Sequence, residues 1–271
     1  MAGFSLNSAG QCLGILELLV EHREGLHLKQ ISESVGSAAS ATHRLLTVLR
    51  ERGYVSQDPS SGVYFPTLLF AIMGSRVLSS TKLIDLCQPV LDKLALESSE
   101  LARLSVLEDG NLIWVAKAQG SQSNIRYEPV DGQIAPLHAT AMGKAWLSSM
   151  PEEQALRLIT ERGLHARMEG PNVIHSIEKL RADLAEARRS GFGIVDEEAE
   201  PGVSAIAVVV REKGLPEGAV VGCLSIGGPT HRLRRERLLS FAPPLRDAAN
   251  NLGKMWVGRR DAGSIGSTGR S

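Results

Sequence analysis

Ser40, His43, Arg44 and Thr47 stand at i, i+3, i+4 and i+7, the spacing that puts four side chains on one stripe of a helix. Two hydroxyls, an imidazole and a guanidinium on one stripe suit hydrogen bonding in a DNA major groove. Arginine can take guanine O6 and N7 or a phosphate; serine and threonine can bond base edges or phosphates. Ala41, Leu45, Val48 and Leu49 are expected to form the opposite, buried face. A second place for chemistry is Thr140-Ala141-Met142-Gly143. Thr140 is expected to cap a helix that starts at Ala141. The amides of Ala141, Met142 and Gly143 then point at a cavity, where orphan N–H groups and the helix dipole suit a carboxylate. Gly143 is expected to let the backbone approach a ligand closely. Arg103 alternates with Ala102, Leu104 and Val106 and so faces away from them, a candidate to enter the same pocket.

Other residues invite chemistry and carry less. The run Asp196-Glu197-Glu198, with His138 as partner, suggests acid–base work or a metal, but acidic clusters at strand ends are more often solvated. Cys223 lies inside the apolar run VVGCLSI and reads as a buried core thiol. The three cysteines make no metal spacing and no disulfide framework. No Ser-His-Asp spacing, nucleophile elbow or phosphate loop is present, so no catalytic residue, metal or cofactor is expected and the chain does not read as an enzyme. Arg232, Arg234, Arg235 and Arg237 are expected to solvate the start of the last helix.

The elements that must position these residues follow from periodicity. A helix from a cap at Ser8 to about His22, a short helix over 28–36 ending at Gly36, and a second over 37–53 ending at Gly53 precede two β-like runs around Asp58-Pro59-Ser60-Ser61-Gly62. Helix, tight turn, helix, hairpin is the order of a winged helix-turn-helix. The candidate DNA contacts are Ser37, Ser40, Ala41, His43, Arg44 and Thr47 on the helix pair, with Ser60, Ser61 and Tyr64 on the wing. Residues 67–80 read as a linking helix and 82–98 as the next, with Pro89 expected near a break or a first turn. LARLSVLE and NLIWVAKAQ around Asp109-Gly110 read as a hairpin, and NIRYEPV (124–130) as a third strand. A helix over 138–150, another from Pro151 and a long one over 172–191 capped by Gly191 follow. Three more strands and a helical segment from Arg232 to about Asn251, broken at Pro243-Pro244, complete an α+β domain. The expected division is 6–66 winged helix-turn-helix, 67–81 linker helix, 82–257 second domain and 258–271 disordered tail.

Thirty basic and thirty acidic residues give no net charge. Residues 1–66 carry five basic and six acidic side chains, so a DNA reading rests on placement: Arg44, Arg50 and Arg52 lie on or after the second helix, while Glu17, Glu21 and Glu24 lie on the first. No leader pattern and no apolar run long enough for a bilayer occurs, so no membrane partner is expected and the expected location is cytoplasmic.

The stretches SATHRLLTVLRERGYVSQDPSSGVY (40–64), PLHATAMGKAWL (136–147), RRSGFGIVDEEAEPGVSAIAV (188–208) and LSIGGPTHRL (224–233), in that order, resemble the IclR family of bacterial transcriptional regulators, from about Ser8 to Leu252. The resemblance implies an N-terminal winged helix-turn-helix, a linker helix and a C-terminal GAF/profilin-like α/β effector-binding domain. It implies a repressor-like, ligand-responsive regulator acting as a homodimer or homotetramer on double-stranded DNA at a pseudo-palindromic operator. The alternative is a sensor or enzyme whose winged helix serves assembly. The resemblance also places effector contacts around Thr140–Gly143, at Val195 and Asp196, at Ala205, and at Ser225 and Gly227. Where polar-pocket members carry Asp, Cys and a second Ser, this chain has Val195, Ala205 and Gly227. With Met142, they point to a small organic acid with an apolar, for example aromatic, body rather than a small polar acid.

Overall fold

The computed structural model describes residues 7–128, 135–164, 170–212 and 218–256; the expected tail 258–271 lies outside them. The chain divides into two compact units, 1–80 and 81–271.

In the first unit, α1 (Ser8–Glu21) is capped by Asn7, whose side chain accepts from the Gly10 amide. The expected cap, Ser8, is the first helical residue instead. Helices α2 (Leu28–Ser34) and α3 (Ala39–Glu51) follow, then β1 (Val55–Gln57) and β2 (Tyr64–Pro66), antiparallel with Val55 opposite Pro66 and Gln57 opposite Tyr64. Ile15, Leu19, Leu26, Ile31, Val35, Leu46, Leu49, Val55 and Tyr64 form one buried core. On α3 the buried side is Thr42, Leu46 and Leu49, at i, i+4 and i+7. That corrects the expected face: Val48 is 49% exposed and Ala41 only half-buried. One residue turns a helix by about 100°, so the true stripe lies a position away. Helix α4 (Leu69–Thr81) closes the unit.

The second unit opens with α5 (Leu83–Ser98), entered through Lys82 at a left-handed φ of 52°. Pro89 lies inside α5 rather than at a break. It leaves the Asp85 carbonyl without an intrahelical donor, and both residues are exposed, where water can serve. Strands β3 (Leu101–Glu108) and β4 (Asn111–Gln119) form the expected hairpin. Of the expected third strand over 124–130, residues 129–130 lie outside the described residues and 124–128 form no strand. Their hydrogen bonds go to side chains: Gln119 Nε2 donates to the Tyr127 carbonyl (3.0 Å) and Arg232 Nη1 to that of Ile125 (2.9 Å).

Helix α6 (Ala141–Ser148), α7 (Glu152–Arg162) and α8 (Ile177–Ser190) come next. Ser176 caps α8 and Gly191 closes it at φ 76°, so this helix starts five residues later than its pattern suggests. Strands β5 (Gly193–Asp196), β6 (Val203–Arg211) and β7 (Val220–Pro229) join β3 and β4 in an antiparallel sheet of order β4-β3-β7-β6-β5. Helices α9 (Arg235–Ser240) and α10 (Ala242–Met255) part at Phe241, and Pro243-Pro244 sit in the first turn of α10, where a missing N–H costs nothing.

Strand alternation sorts the sheet into two faces. Ala102, Leu104, Ile206, Val208, Leu224 and Ile226 pack with α5 and α10 in one core. The opposite face, with Ala207 and Cys223, packs with α6, α7 and α8 in a second. Helix α6 lies so close to β5 that a Cβ on Gly193 would stand 2.2 Å from the Ala141 carbonyl oxygen.

Candidate DNA-binding surface and effector site

Burial of Thr42, Leu46 and Leu49 turns Ser40, His43 and Arg44 of α3 outward, all exposed. Thr47 is half-buried, and its hydroxyl donates back to the His43 carbonyl at 2.9 Å. It keeps lone pairs for an incoming donor but has already used its proton. Val48, four residues after Arg44, extends the outward stripe with an apolar side chain suited to a thymine methyl, in place of the buried position its spacing suggests. Ser37 lies just before the helix, half-buried.

The wing turn is organised by Asp58. Its Oδ1 accepts from the Ser60 hydroxyl (2.6 Å), the Ser60 amide (2.7 Å) and the Ser61 amide (3.0 Å). These bonds, led by the Ser60 hydroxyl, hold the Asp58 carboxyl below the usual carboxylate range. Ser60 and Ser61 are exposed at the tip. Arg50 Nη1 donates to Gln57 Oε1 at 2.9 Å, and Gln57 Nε2 to the Gly62 carbonyl at 3.2 Å, bracing the wing against α3. Tyr64 departs from its expected place: it is 2% exposed in the core, its backbone paired with Leu26, and its side chain is not a DNA contact.

In the second unit the register brings distant residues together. Arg103 lies opposite Ser225, Ala207 opposite Ser225, Ala205 opposite Gly227, and Val195 opposite Ala205. All share one sheet face, on which Val195, Ala205 and Ala207 pack in one cluster with Ala141 and Met142 of α6. The Arg103 guanidinium lies 3.8 Å from the centroid of the Trp114 ring, a cation–π stack. Asp196 does not join them. It alternates to the other side, is exposed, and accepts from the Ser204 hydroxyl at 2.6 Å.

Two expectations for α6 are corrected. The Thr140 hydroxyl caps the helix by accepting from the Gly143 amide at 3.1 Å, while donating to the Pro136 carbonyl at 2.7 Å. The Gly143 amide is therefore spent, and the first-turn donors are those of Ala141 and Met142. Gly143 is small for packing, not for a ligand: a Cβ there would stand 2.1 Å from the Leu137 carbonyl oxygen.

The acidic run divides, with Asp196 exposed and Glu198 buried. Lys144 of α6 is 2% exposed, and its Nζ bonds Asp183 of α8 at 2.7 Å and Glu198 at 2.6 Å. Lys179 bonds Asp183 from the outside at 2.9 Å. Burial pushes the Glu198 carboxyl up, against the pull of Lys144. For Asp183 burial is outweighed by Lys144 and Lys179, and its carboxyl stays low. His138 is buried with Nε2 unpartnered, and burial and then the Lys144 charge hold it below the ordinary histidine range, so it is neutral at pH 7. Among the described residues no group of three or more His, Cys, Asp or Glu is placed to hold a metal. The Cys223 thiol is fully buried and pushed up by burial, a core thiol.

The family model described as the bacterial transcriptional regulator IclR C-terminal domain matches residues 75–254, and the IclR helix-turn-helix domain matches 9–59. The chain belongs to the IclR family. The acetate operon repressor of Salmonella typhimurium is 32% identical, covering 92% of this chain and 89% of that protein. The transcriptional repressor IclR of Escherichia coli is 30% identical with the same coverage of each. An IclR transcriptional regulator from Alicyclobacillus acidocaldarius shares the fold at TM-score 0.78 and 24% identity, over 94% of this chain and 100% of that one. The inducer-binding domain of a PobR transcription factor double mutant from Acinetobacter, solved with 3-hydroxybenzoic acid, is 29% identical at TM-score 0.55. It covers 63% of this chain and 97% of that one.

This IclR-family chain is thus a ligand-responsive, DNA-binding transcriptional regulator, and its named relatives are repressors rather than enzymes. The alternative of a winged helix that serves only assembly is set aside. Among the described residues no helix is long and apolar enough to cross a membrane. Trp114 and the Lys144 cluster are not evident from sequence, because Trp114 reads as one more strand residue and Glu198 as one charge of a solvated run. The basic residues before and in the first turn of α9 also differ from expectation. Arg232 grips the buried Glu100 with two bonds of 2.6 and 2.8 Å, Arg235 bonds Glu186, and Arg237 donates to the Ser98 carbonyl.

Proposed function

We propose that this regulator binds a pseudo-palindromic operator as a cytoplasmic homodimer and controls a catabolic operon in response to an aromatic carboxylate. The observation that carries the effector class is the sheet face under α6, where one buried guanidinium stacks on Trp114 and Val195, Ala205 and Ala207 pack in one apolar cluster with Met142. The cation suits a carboxylate and the remainder suits a ring. The PobR domain holding 3-hydroxybenzoic acid supports the same class. Arg103, Thr140, Ala141, Met142, Val195, Ala205, Ser225 and Gly227 are the proposed contacts, with Gly143 behind them as a packing residue. Burying a ring against these side chains contributes a few kcal/mol, enough to favour benzoate-like acids over acetate or pyruvate by more than about tenfold. Calorimetry on the full chain with such a panel is expected to show that order. Micromolar binding of pyruvate without binding of benzoates would overturn the effector class and leave the regulator assignment standing.

The exposed face of α4 supports the dimer. Leu68 just before it is 79% exposed, and Ile72, Met73 and Val77 expose 44–49% of their surface, an apolar face with its hydrogen bonding complete. Pairing two such faces sets two recognition helices for two half-sites. The double substitution Ile72→Glu, Met73→Glu is expected to yield a monomer by light scattering with weakened operator binding. A monomeric wild type that still binds operator fully would defeat this reading.

A further inference from the structure

We propose that Tyr127 is a bar across one end of the effector site, latched on Glu200 and released when a ligand enters or leaves; this rests on the α6-facing side of the sheet being that site. Strand register fixes where the bar lies. Leu101 stands opposite both Gln119 and Gly227, and Ala205 opposite both Gly227 and Val195. Directly opposed residues share a face. Gln119, Leu101, Gly227, Ala205 and Val195 therefore make one row across the sheet, on the side that carries the proposed contacts. The edge strands are β4 and β5, so Gln119 begins the row and Val195 ends it.

Gln119 closes a loop over its own end of the row. Its Oε1 accepts from the Ser121 amide at 3.0 Å, and its Nε2 donates to the Tyr127 carbonyl at 3.0 Å. Tyr127 reaches on from there. Its hydroxyl donates to Glu200 Oε1 at 2.9 Å, and Glu200 lies in the turn between β5 and β6. Gln119, Tyr127 and Glu200 thus form one hydrogen-bonded line from one edge of the sheet to the turn beside the other. That line crosses the end of the sheet where Gly227, Ala205 and Val195 stand.

The line has a firm end and a weak one. Arg232, just past β7, donates to the Ile125 carbonyl (2.9 Å) and the Ser121 hydroxyl (3.3 Å) while gripping Glu100. Gly120 lies so close to α5 that a Cβ there would stand 1.8 Å from the Ala95 carbonyl oxygen. The base of the loop is tied down. At the other end Glu200 is exposed, where water competes for its oxygens and weakens the latch. Burial first, and the Glu200 charge second, keep the phenol protonated well above neutral pH, so the hydroxyl remains the donor. A latch that forms in the empty and the loaded protein alike governs rates of entry and exit more than affinity.

The test reads access directly. Ser225, on the same face and 6% exposed, is changed to cysteine in a full-length Cys12→Ser chain. Its reaction with 4,4′-dithiodipyridine, an uncharged aromatic disulfide, is timed against the parent that keeps Ser225. Tyr127→Phe is expected to speed this reaction by about 3–10-fold, and Glu200→Gln, which keeps a neutral acceptor, by less. Cys87, buried on the opposite face, is expected to stay as slow as before, which separates the latch from general loosening. Should Ser225→Cys fail to fold, Ala205→Cys serves as the reporter. An unchanged rate in Tyr127→Phe, or an equal rise at Cys87, overturns the proposal. Calorimetry of Tyr127→Phe with benzoate, 4-hydroxybenzoate, pyruvate and acetate is expected to give affinities within about twofold of wild type; a larger change with no faster labelling makes Tyr127 a ligand contact and also overturns it. Faster labelling with no binding of any of these acids supports the bar and counts against the effector class alone.

Discussion

Lys144→Met lowers stability by about 3–5 kcal/mol, the largest effect expected of any substitution discussed for this chain. Its ammonium is the buried counter-charge for Glu198, whose side chain is 10% exposed and whose second oxygen is already unpartnered. Methionine keeps most of the packing, so the loss reports the stranded carboxylate. The two acids respond differently. Asp183 retains Lys179 and partial exposure, which soften its loss of Lys144. Glu198 loses the attraction that opposed its burial, and its folded-state carboxyl rises further above the unfolded value. A raised carboxyl favours the fold while protonated and costs stability once ionised. The deficit of the variant is therefore greatest at neutral pH and shrinks as pH falls through the raised value toward that of ordinary glutamate. Urea unfolding at neutral and mildly acidic pH measures this. Lys144→Met combined with Glu198→Leu is expected to recover most of the loss, because replacing both members of a buried pair is often nearly neutral. Equal deficits at both pH values would show that lost packing, not charge, is responsible.

That cluster also marks how far sequence carries. Helix and strand order was legible because each element repeats an apolar period, and Gly191 and Thr140 announced their caps by residue type. Motifs in a fixed order were enough to place the chain among the IclR regulators. The polar stripe Ser40-His43-Arg44 was legible because helical geometry alone puts these residues together. The sheet face was legible only as a set of residues, since Arg103 meets Ser225 through a register that no local pattern states. What escaped were contacts made over distance. Nothing near Glu198 says that it turns inward to a lysine 54 positions earlier, and nothing near Arg232 says that it closes on Glu100. Tyr64 escaped for the opposite reason: its place beside the wing turn suggested a DNA contact, while pairing with Leu26 draws it into the core.

Arg44→Ala is expected to weaken operator binding by about 1–3 kcal/mol while leaving the circular dichroism spectrum unchanged. Arg44 is exposed at the middle of the outward stripe, four residues after Ser40 and one after His43. Of the next two arginines, Arg50 bonds Gln57, and Arg52 lies beyond the last turn, as the C-cap residue of α3. A guanidinium that reads guanine contributes to sequence discrimination as well as affinity, so the variant should lose more on operator than on random DNA. The wing provides the contrast. Ser60 and Ser61 sit exposed on a turn whose bonds close around Asp58. We propose that their contribution is a phosphate contact without sequence information. The double change Ser60→Ala, Ser61→Ala should then lower binding to both DNAs by the same factor. Gel-shift titrations of the two variants on operator and random duplexes separate the roles. Wild-type operator affinity for Arg44→Ala would remove Arg44 from the groove. A loss confined to operator for the serine pair would move sequence reading into the wing. Salt supplies an independent check: if Arg44 reads a base rather than a phosphate, the slope of affinity against salt stays unchanged when it is removed, because no counterion release is lost with it.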